Sequence, residues 1–178
     1  MDEHKEIERS IGILKLAADS LETGKKVPNE IFEKAVKFTR IFSDKCHHGK
    51  EQDTLFPIME KRGVPREGGP IGCMLEEHEI GRGYIKGLDE ATKRFKSGDK
   101  NAVAEIIKNA NSYSELLTQH IDKENNILYP MADQVLSPED DRWLLKKFVE
   151  IEKEQIGEEA HRQLIELLNE LDKTIQKV

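Results

Sequence analysis

The sequence predicts an all-α protein, an antiparallel up-down-up-down four-helix bundle with an additional C-terminal helix. Three observations carry that expectation. Apolar residues recur at spacings of three and four in long stretches. The 12 glycines and 6 prolines are few and gather mostly at the joints between those stretches. Charged residues make up 35% of the chain and apolar residues 37%, a balance that suits helices with one buried stripe and charged outer faces. The length of 178 residues suits a single domain spanning 1–178, large enough to bury a core without staples. Its bundle is expected over about 2–130 and its added helix over about 138–175.

The first helix is expected from Asp2 to Leu21, where Ile7, Ile11, Leu14 and Ala18 form one stripe, and it exits through Thr23-Gly24. Pro28-Asn29-Glu30 opens the second, which carries Ile31, Phe32, Ala35, Phe38, Ile41 and Phe42 toward Leu55 and Ile58 and runs to about Glu60. Pro57 should bend or end it, because proline lacks an amide hydrogen and clashes with the preceding turn. Residues 61–70 are the clearest loop. A third helix covers Ile71 to Phe95 despite Gly81, Gly83 and Gly87. Each helical glycine costs about 1 kcal/mol relative to alanine, which close packing against a neighbour would offset. Asn101 to Tyr129 makes the fourth helix. Ser137-Pro138-Glu139-Asp140 then starts the fifth, with a serine cap, proline at the first helical position and acids near the exposed amides. This helix runs toward Ile175 with a break near Gly157.

The net charge of -7 arises from 28 basic and 35 acidic residues without a basic tract, which argues against a nucleic-acid partner. No apolar run reaches the ~18 residues of a membrane span, and the polar start is unlike a signal peptide. The expectation is a cytoplasmic protein with no membrane partner. Cys46 and Cys73 form no Cys-x-x-Cys pair, so neither a disulfide framework nor a zinc knuckle is indicated, and Cys46 reads as a half-buried thiol.

Two segments stand out. His47 precedes Glu51 by four residues and His120 precedes Glu124 by four, and each pair is followed by an aromatic-proline step, Phe56-Pro57 or Tyr129-Pro130. Four residues along a helix return to the same face, so each segment can aim an imidazole and a carboxylate at one interior. No duplication of whole helical pairs is evident, but helices two and four run parallel in such a bundle and can present both motifs at one height. Antiparallel partners bring His4 and His78 to similar depth. The set His4, His47, Glu51, His78, His120 and Glu124 offers four nitrogen donors and two anionic oxygen donors. Without thiolates, this chemistry suits iron, manganese or zinc. If both glutamates bridge two metals, each metal receives four protein bonds and keeps open positions, which imply reactivity.

His48 and Glu77 adjoin proposed ligands and are candidates for extra or supporting contacts, since bound imidazoles need an acceptor for the other ring nitrogen. Tyr113 lies seven residues before His120 on the same face. It reads as a packed core tyrosine or as a donor to a bound ligand. Phe42, Phe56 and Tyr129 are candidates for walling off the centre, and His161 is expected at the surface.

The run 46–57, the Glu77-His78 pair, and His120 to Glu124 followed by Leu128-Tyr129-Pro130 together resemble the hemerythrin-like family of cation-binding domains. The resemblance spans about residues 2–130. It implies a four-helix bundle holding two iron ions in a non-haem centre, with an Fe-O-Fe or hydroxo bridge, in proteins that bind or sense oxygen, handle nitric oxide, or hold iron. It assigns His4 to the first helix, His47 and Glu51 to the second, His78 to the third, and His120 with Glu124 to the fourth. The chain departs from the oxygen-carrying branch, which has two histidines spaced by four on the third helix. Met74 and Arg82 stand four residues either side of His78 here. That branch also separates its fourth-helix histidine and acid by five residues rather than four. The leading expectation is a di-iron protein that binds or senses oxygen or nitric oxide. The alternatives are a di-iron enzyme, with a redox partner, an iron-sulfur-cluster repair or iron-donating factor, and a metal-stabilised interaction module.

Overall fold

The computed structural model describes residues 3–178, so Asp2, the expected first helical residue, lies outside the described residues. α1 is Glu3–Glu22 and buries Ile7, Ile11, Leu14 and Ala18 as the periodicity requires, with Ser10, Ile13 and Ala17 beside them. α2 runs continuously over 29–61, α3 is Pro70–Lys96 and α4 covers 102–135. α5 is Pro138–Gln155 and α6 is Glu158–Ile175. The start of α5 carries the expected cap. The Ser137 hydroxyl accepts from the Asp140 amide while the Asp140 carboxylate accepts from the Ser137 amide. The expected fifth helix is two helices, because Gly157 adopts φ +79°, a left-handed conformation in which glycine is at ease and other residues are strained.

The second helix ends close to the expected Glu60, while the fourth outruns the expected Tyr129. Pro57 does not end α2, which continues to Lys61, and α4 passes Pro130 and reaches Val135. In both cases the turn just ahead of the aromatic-proline step widens to i→i+5 hydrogen bonding, over Glu51–Leu55 and Glu124–Leu128. A mid-helix proline collides with the carbonyl four residues back and leaves it without a donor. Those carbonyls, on Asp53 and Asn126, lie within the widened turns, which relocates them and lets the helix continue. A further widened segment spans Thr39–His48.

α1 to α4 form the antiparallel four-helix bundle, with α3 packed on α4, α4 on α1, and α2 on α1 and α3. α6 lies over the seam between α1 and α2. It buries Leu164, Leu168, Leu171 and Ile175, one helical stripe, and Arg9 of α1 pairs with its Asp172. Each fully buried leucine contributes roughly 1.5–3 kcal/mol. On α3, close packing is confirmed at Gly87, where a Cβ would lie 2.7 Å from the Asn109 side chain, whereas Gly83 faces open space and has no such offset. Among the described residues, no helix is long and apolar enough to cross a membrane.

Two apolar clusters fill the bundle. The larger spans most of α1, the first part of α2, and residues of α3, α4 and α6, including Phe42, Ile85, Leu117 and Ile121. The smaller contains Leu55, Phe56, Met59, Ile71, Met74 and Leu128, with Leu144 of α5. On α2, α3 and α4, the histidines and glutamates singled out above fall in sequence between residues of one cluster and residues of the other. The polar layer therefore lies between two apolar plugs.

Candidate metal centre

All six residues converge in that layer. His4 Nε2 lies 3.2 Å from His47 Nε2 and 3.2 Å from Glu124 Oε2. His78 Nε2 lies 3.0 Å from His120 Nε2 and 3.5 Å from Glu51 Oε2, and His120 Nε2 is 3.0 Å from Glu124 Oε1. Glu124 thus turns one oxygen to each histidine pair. Glu51 Oε2 also reaches both, at 3.5 Å from His78 and 3.9 Å from His47. The arrangement is two histidine pairs with two shared carboxylates between them.

Both glutamate side chains are 0% exposed, yet Glu51 Oε2 and both oxygens of Glu124 have no aligned hydrogen bond. Buried carboxylates without donors are costly. Facing Nε2 atoms at 3.0 and 3.2 Å can share at most one hydrogen per pair, so each pair keeps a nitrogen lone pair turned into the layer. Bound cations relieve both conditions, and the donor set fits two of them. One group is His4, His47 and Glu124. The other is Glu51, His78, His120 and Glu124.

The electrostatics show the same tension. Burial and the neighbouring charge of Glu124 push Glu51 well above the ordinary carboxylate range. Burial also opposes ionisation of Glu124, but its contacts with His120, His4 and His47 outweigh this and hold it well below that range. The pair keeps one proton more readily than none. Burial disfavours charge on His47, but Glu51, Glu124 and Glu3 overcome it and raise the imidazole to about 10. Burial, with His48 and His120 nearby, holds His78 far below the ordinary histidine value.

Each imidazole is held through its other nitrogen, and the contacts repeat between the halves of the bundle. His47 Nδ1 donates to Glu3 at 3.0 Å, and Lys50 holds that carboxylate at 2.6 Å. His120 Nδ1 donates to Glu77 at 2.9 Å, and Lys123 pairs with that carboxylate. His4 Nδ1 donates to Asn125 at 2.9 Å, and His78 Nδ1 lies 2.6 Å from the Gln52 side-chain amide. The ring of Tyr129 stacks on His4 at 5.6 Å, and Phe56 stacks on His78 at 6.1 Å. In sequence, α1 and α3 each contribute Glu-His, while α2 and α4 each contribute His-x-x-Lys-Glu followed by an amide and, four residues on, an aromatic-proline step. The helical pairs are therefore related as two halves of one repeat, which the His-x-x-x-Glu spacing alone does not reveal.

The repeat is broken at two places. Tyr129 has a hydroxyl that its counterpart Phe56 lacks, and it donates to Glu51 Oε1 at 2.7 Å and lies 3.3 Å from His4 Nε2. His48 takes the place that Ile121 holds in the other half. Its ring stacks on His78 at 3.8 Å and neither nitrogen has an aligned hydrogen bond.

The hemerythrin HHE cation-binding domain matches residues 1–132, about three quarters of the chain. The chain belongs to that family. Over 175 residues it is 19% identical to an uncharacterized protein of Mycobacterium tuberculosis, covering 98% of this chain and 68% of that protein. It is also similar to the iron-sulfur cluster repair protein YtfE of Salmonella typhimurium, 30% identical over 89 residues, and to that of Yersinia pseudotuberculosis, 28% over 88 residues. Each of these two matches covers 48% of this chain and 40% of the relative. No solved structure gives a significant match.

The supporting residues are placed as follows. Glu77 touches His120, and His48 turns inward because a widened turn advances less per residue and carries it in after His47. Tyr113 is buried and faces Thr39 and Ser43 of α2, on the wall of a cavity shared with His48 and His78. Tyr129, read from sequence only as part of a wall, bonds the centre directly. Glu3, Gln52 and Asn125 were not singled out, although the residue after each glutamate is an amide in both halves, a recurrence visible in the sequence. His161 is half-buried rather than on the surface, its ring 5.4 Å from that of Phe42. Cys46 is fully rather than half buried, and burial pushes its thiol up to about 11.

Proposed function

We propose that this protein holds two iron ions between His4, His47, Glu51, His78, His120 and Glu124, and that it serves iron-sulfur cluster repair as a factor that stores and donates iron. The observation that carries the reading is the pair of buried carboxylates shared between two histidine pairs, with oxygens left unbonded inside the bundle. The similarity to two proteins named for iron-sulfur cluster repair supports this role over ligand carriage. Manganese and zinc accept the same donors, so the metal is part of the test. Iron in this setting supplies exchangeable coordination positions and one-electron redox chemistry.

The chain's own residues set the terms of that chemistry. Glu51 and Glu124 balance the positive charge and fix the spacing of the two histidine pairs. Glu3 and Glu77 accept from Nδ1, which leaves Nε2 of His47 and His120 free to bind and raises their donor strength. The apolar plugs on either side limit water. Tyr129 holds Glu51 through a hydrogen bond and places a phenol beside the centre.

The test is anaerobic incubation of the iron-loaded protein with a cluster-depleted iron-sulfur protein, sulfide and a reductant. Recovery of cluster absorbance should track the iron lost from this chain. Recovery no faster than with an equal concentration of ferrous salt would refute donation. The Tyr129 hydroxyl favours a second reading, reversible binding or sensing of oxygen or nitric oxide, since its single O–H, given to Glu51 here, can turn from that carboxylate to a small ligand at the centre. That reading requires a charge-transfer band that appears when the gas is admitted and disappears when it is removed.

A further inference from the structure

A cavity of about 420 Å³ opens between α2, α3 and α4, and its wall includes His78 of the donor set together with His48 and Tyr113. A diatomic molecule needs little more than the ~30 Å³ share of a liquid water, so the space suits a larger ligand. Two features describe what it would take. Its inner wall carries the buried ring of His48, whose Nε2 has no hydrogen-bond partner and whose Nδ1 faces Asp44 at 3.5 Å without an aligned bond. Among its lining residues Arg40, Arg82 and Lys86 outnumber the single acid, Asp44. Arg40 pairs with Asp89 and Arg82 with Asp44, each at 2.8 Å, and Arg82 also pairs with Glu79, whereas Lys86 is exposed and has no ion pair among the described residues. Lys86 therefore presents the unpaired positive charge at this mouth, and an anion is attracted to it.

We propose that this cavity docks a small polycarboxylate chelator, through which iron enters or leaves on the His78 side. The proposal rests on the di-iron reading for its cargo. Transfer is a ligand exchange in which chelator oxygens bond to iron as protein donors release it. Solvent protons return to the vacated groups and iron keeps its oxidation state, so no electron donor is needed. The asymmetry of the repeat supports the side chosen, because His48 stands next to His78 whereas the equivalent residue in the other half is Ile121.

Iron removal from the loaded protein is followed with two chelators, anionic nitrilotriacetate and neutral bipyridine, after iron stoichiometry and helicity have been measured. Lys86→Glu should slow removal by nitrilotriacetate about tenfold at low ionic strength and leave the bipyridine rate within about twofold. The difference should collapse near ~1 M salt. The control Lys173→Glu, at an exposed position of α6, makes the same charge change away from the cavity. Equal effects on both chelators, no effect on either, or equal slowing by Lys173→Glu overturns the proposal. If the protein holds no iron, the di-iron reading fails, and calorimetry of citrate against the metal-free chain decides the pocket by itself. Heat from citrate that falls with Lys86→Glu supports the pocket, and no heat or unchanged heat overturns it.

Discussion

Glu77 gives the sharpest test of how the centre is held. Its Oε2 accepts from His120 Nδ1 at 2.9 Å and its other oxygen pairs with Lys123. The side chain is only 14% exposed, so water replaces the lost acceptor poorly. Glu77→Gln keeps the size and an amide oxygen but removes the charge, while Glu77→Ala removes acceptor and charge together. Loss of such a supporting contact lowers metal affinity about 10–100-fold, or roughly 1.4–2.8 kcal/mol, with Gln near the low end and Ala near the high end. Because Glu77 serves only one of the two histidine pairs, the loss should fall on one of the two metals. Anaerobic ferrous titration against a competing chelator should therefore give a biphasic isotherm, with one equivalent weakened. Glu3→Gln, its counterpart in the other half, should do the same through His47. A single unchanged affinity in both variants would refute the supporting role, as would loss of helicity matching the loss of metal.

Three further outcomes are expected. Tyr129→Phe removes the hydroxyl bonded to Glu51 and should lower metal-free stability by about 1–3 kcal/mol, read by chemical denaturation; an unchanged midpoint would show that the bond carries nothing. Burial opposes ionisation of Glu3, but His47 and Lys50 outweigh it and hold its carboxyl down at about 2. Its contribution is thus present above the ordinary value of 4.5 and is lost as pH falls from there toward 2, so Glu3→Gln should flatten the acid limb of a stability-versus-pH curve. Leu168→Ala on α6, at a fully buried position, should cost about 2–5 kcal/mol and lower the Tm while leaving metal stoichiometry intact; loss of metal would tie α6 to the centre.

Much of the fold was legible because the helical stripes are long and the joints are marked by glycine, proline and a serine cap. The end of α2 just past Pro57 was legible too, but the continuation of α4 through Pro130 and the widened turn ahead of each proline were not, because that turn depends on what the surrounding bundle holds in place. The stripe Leu164, Leu168, Leu171 and Ile175 is visible in sequence, but nothing local says that it covers the α1–α2 seam. Spacing alone brought His47 with Glu51 and His120 with Glu124 to notice, and the structure places them together with His4 and His78. Glu3, Gln52 and Asn125 escaped because a single polar residue near a helix end or beside a glutamate resembles ordinary surface. Their pairing emerges only when the two halves are laid over one another.

The repeat also bears on how small such a centre can be. One helical hairpin, 3–61, carries two of the four donor histidines, one of the two shared glutamates and half of the supporting residues, some of which reach across to the other half, so two identical hairpins about a twofold axis could assemble a complete pair of metal positions. In that symmetric dimer any change to one position would be copied into the other. Joining both halves in one chain lifts that constraint. It lets Tyr129 stand opposite Phe56 and His48 opposite Ile121, so that one ion can be sheltered by a phenol while its partner faces an open chamber.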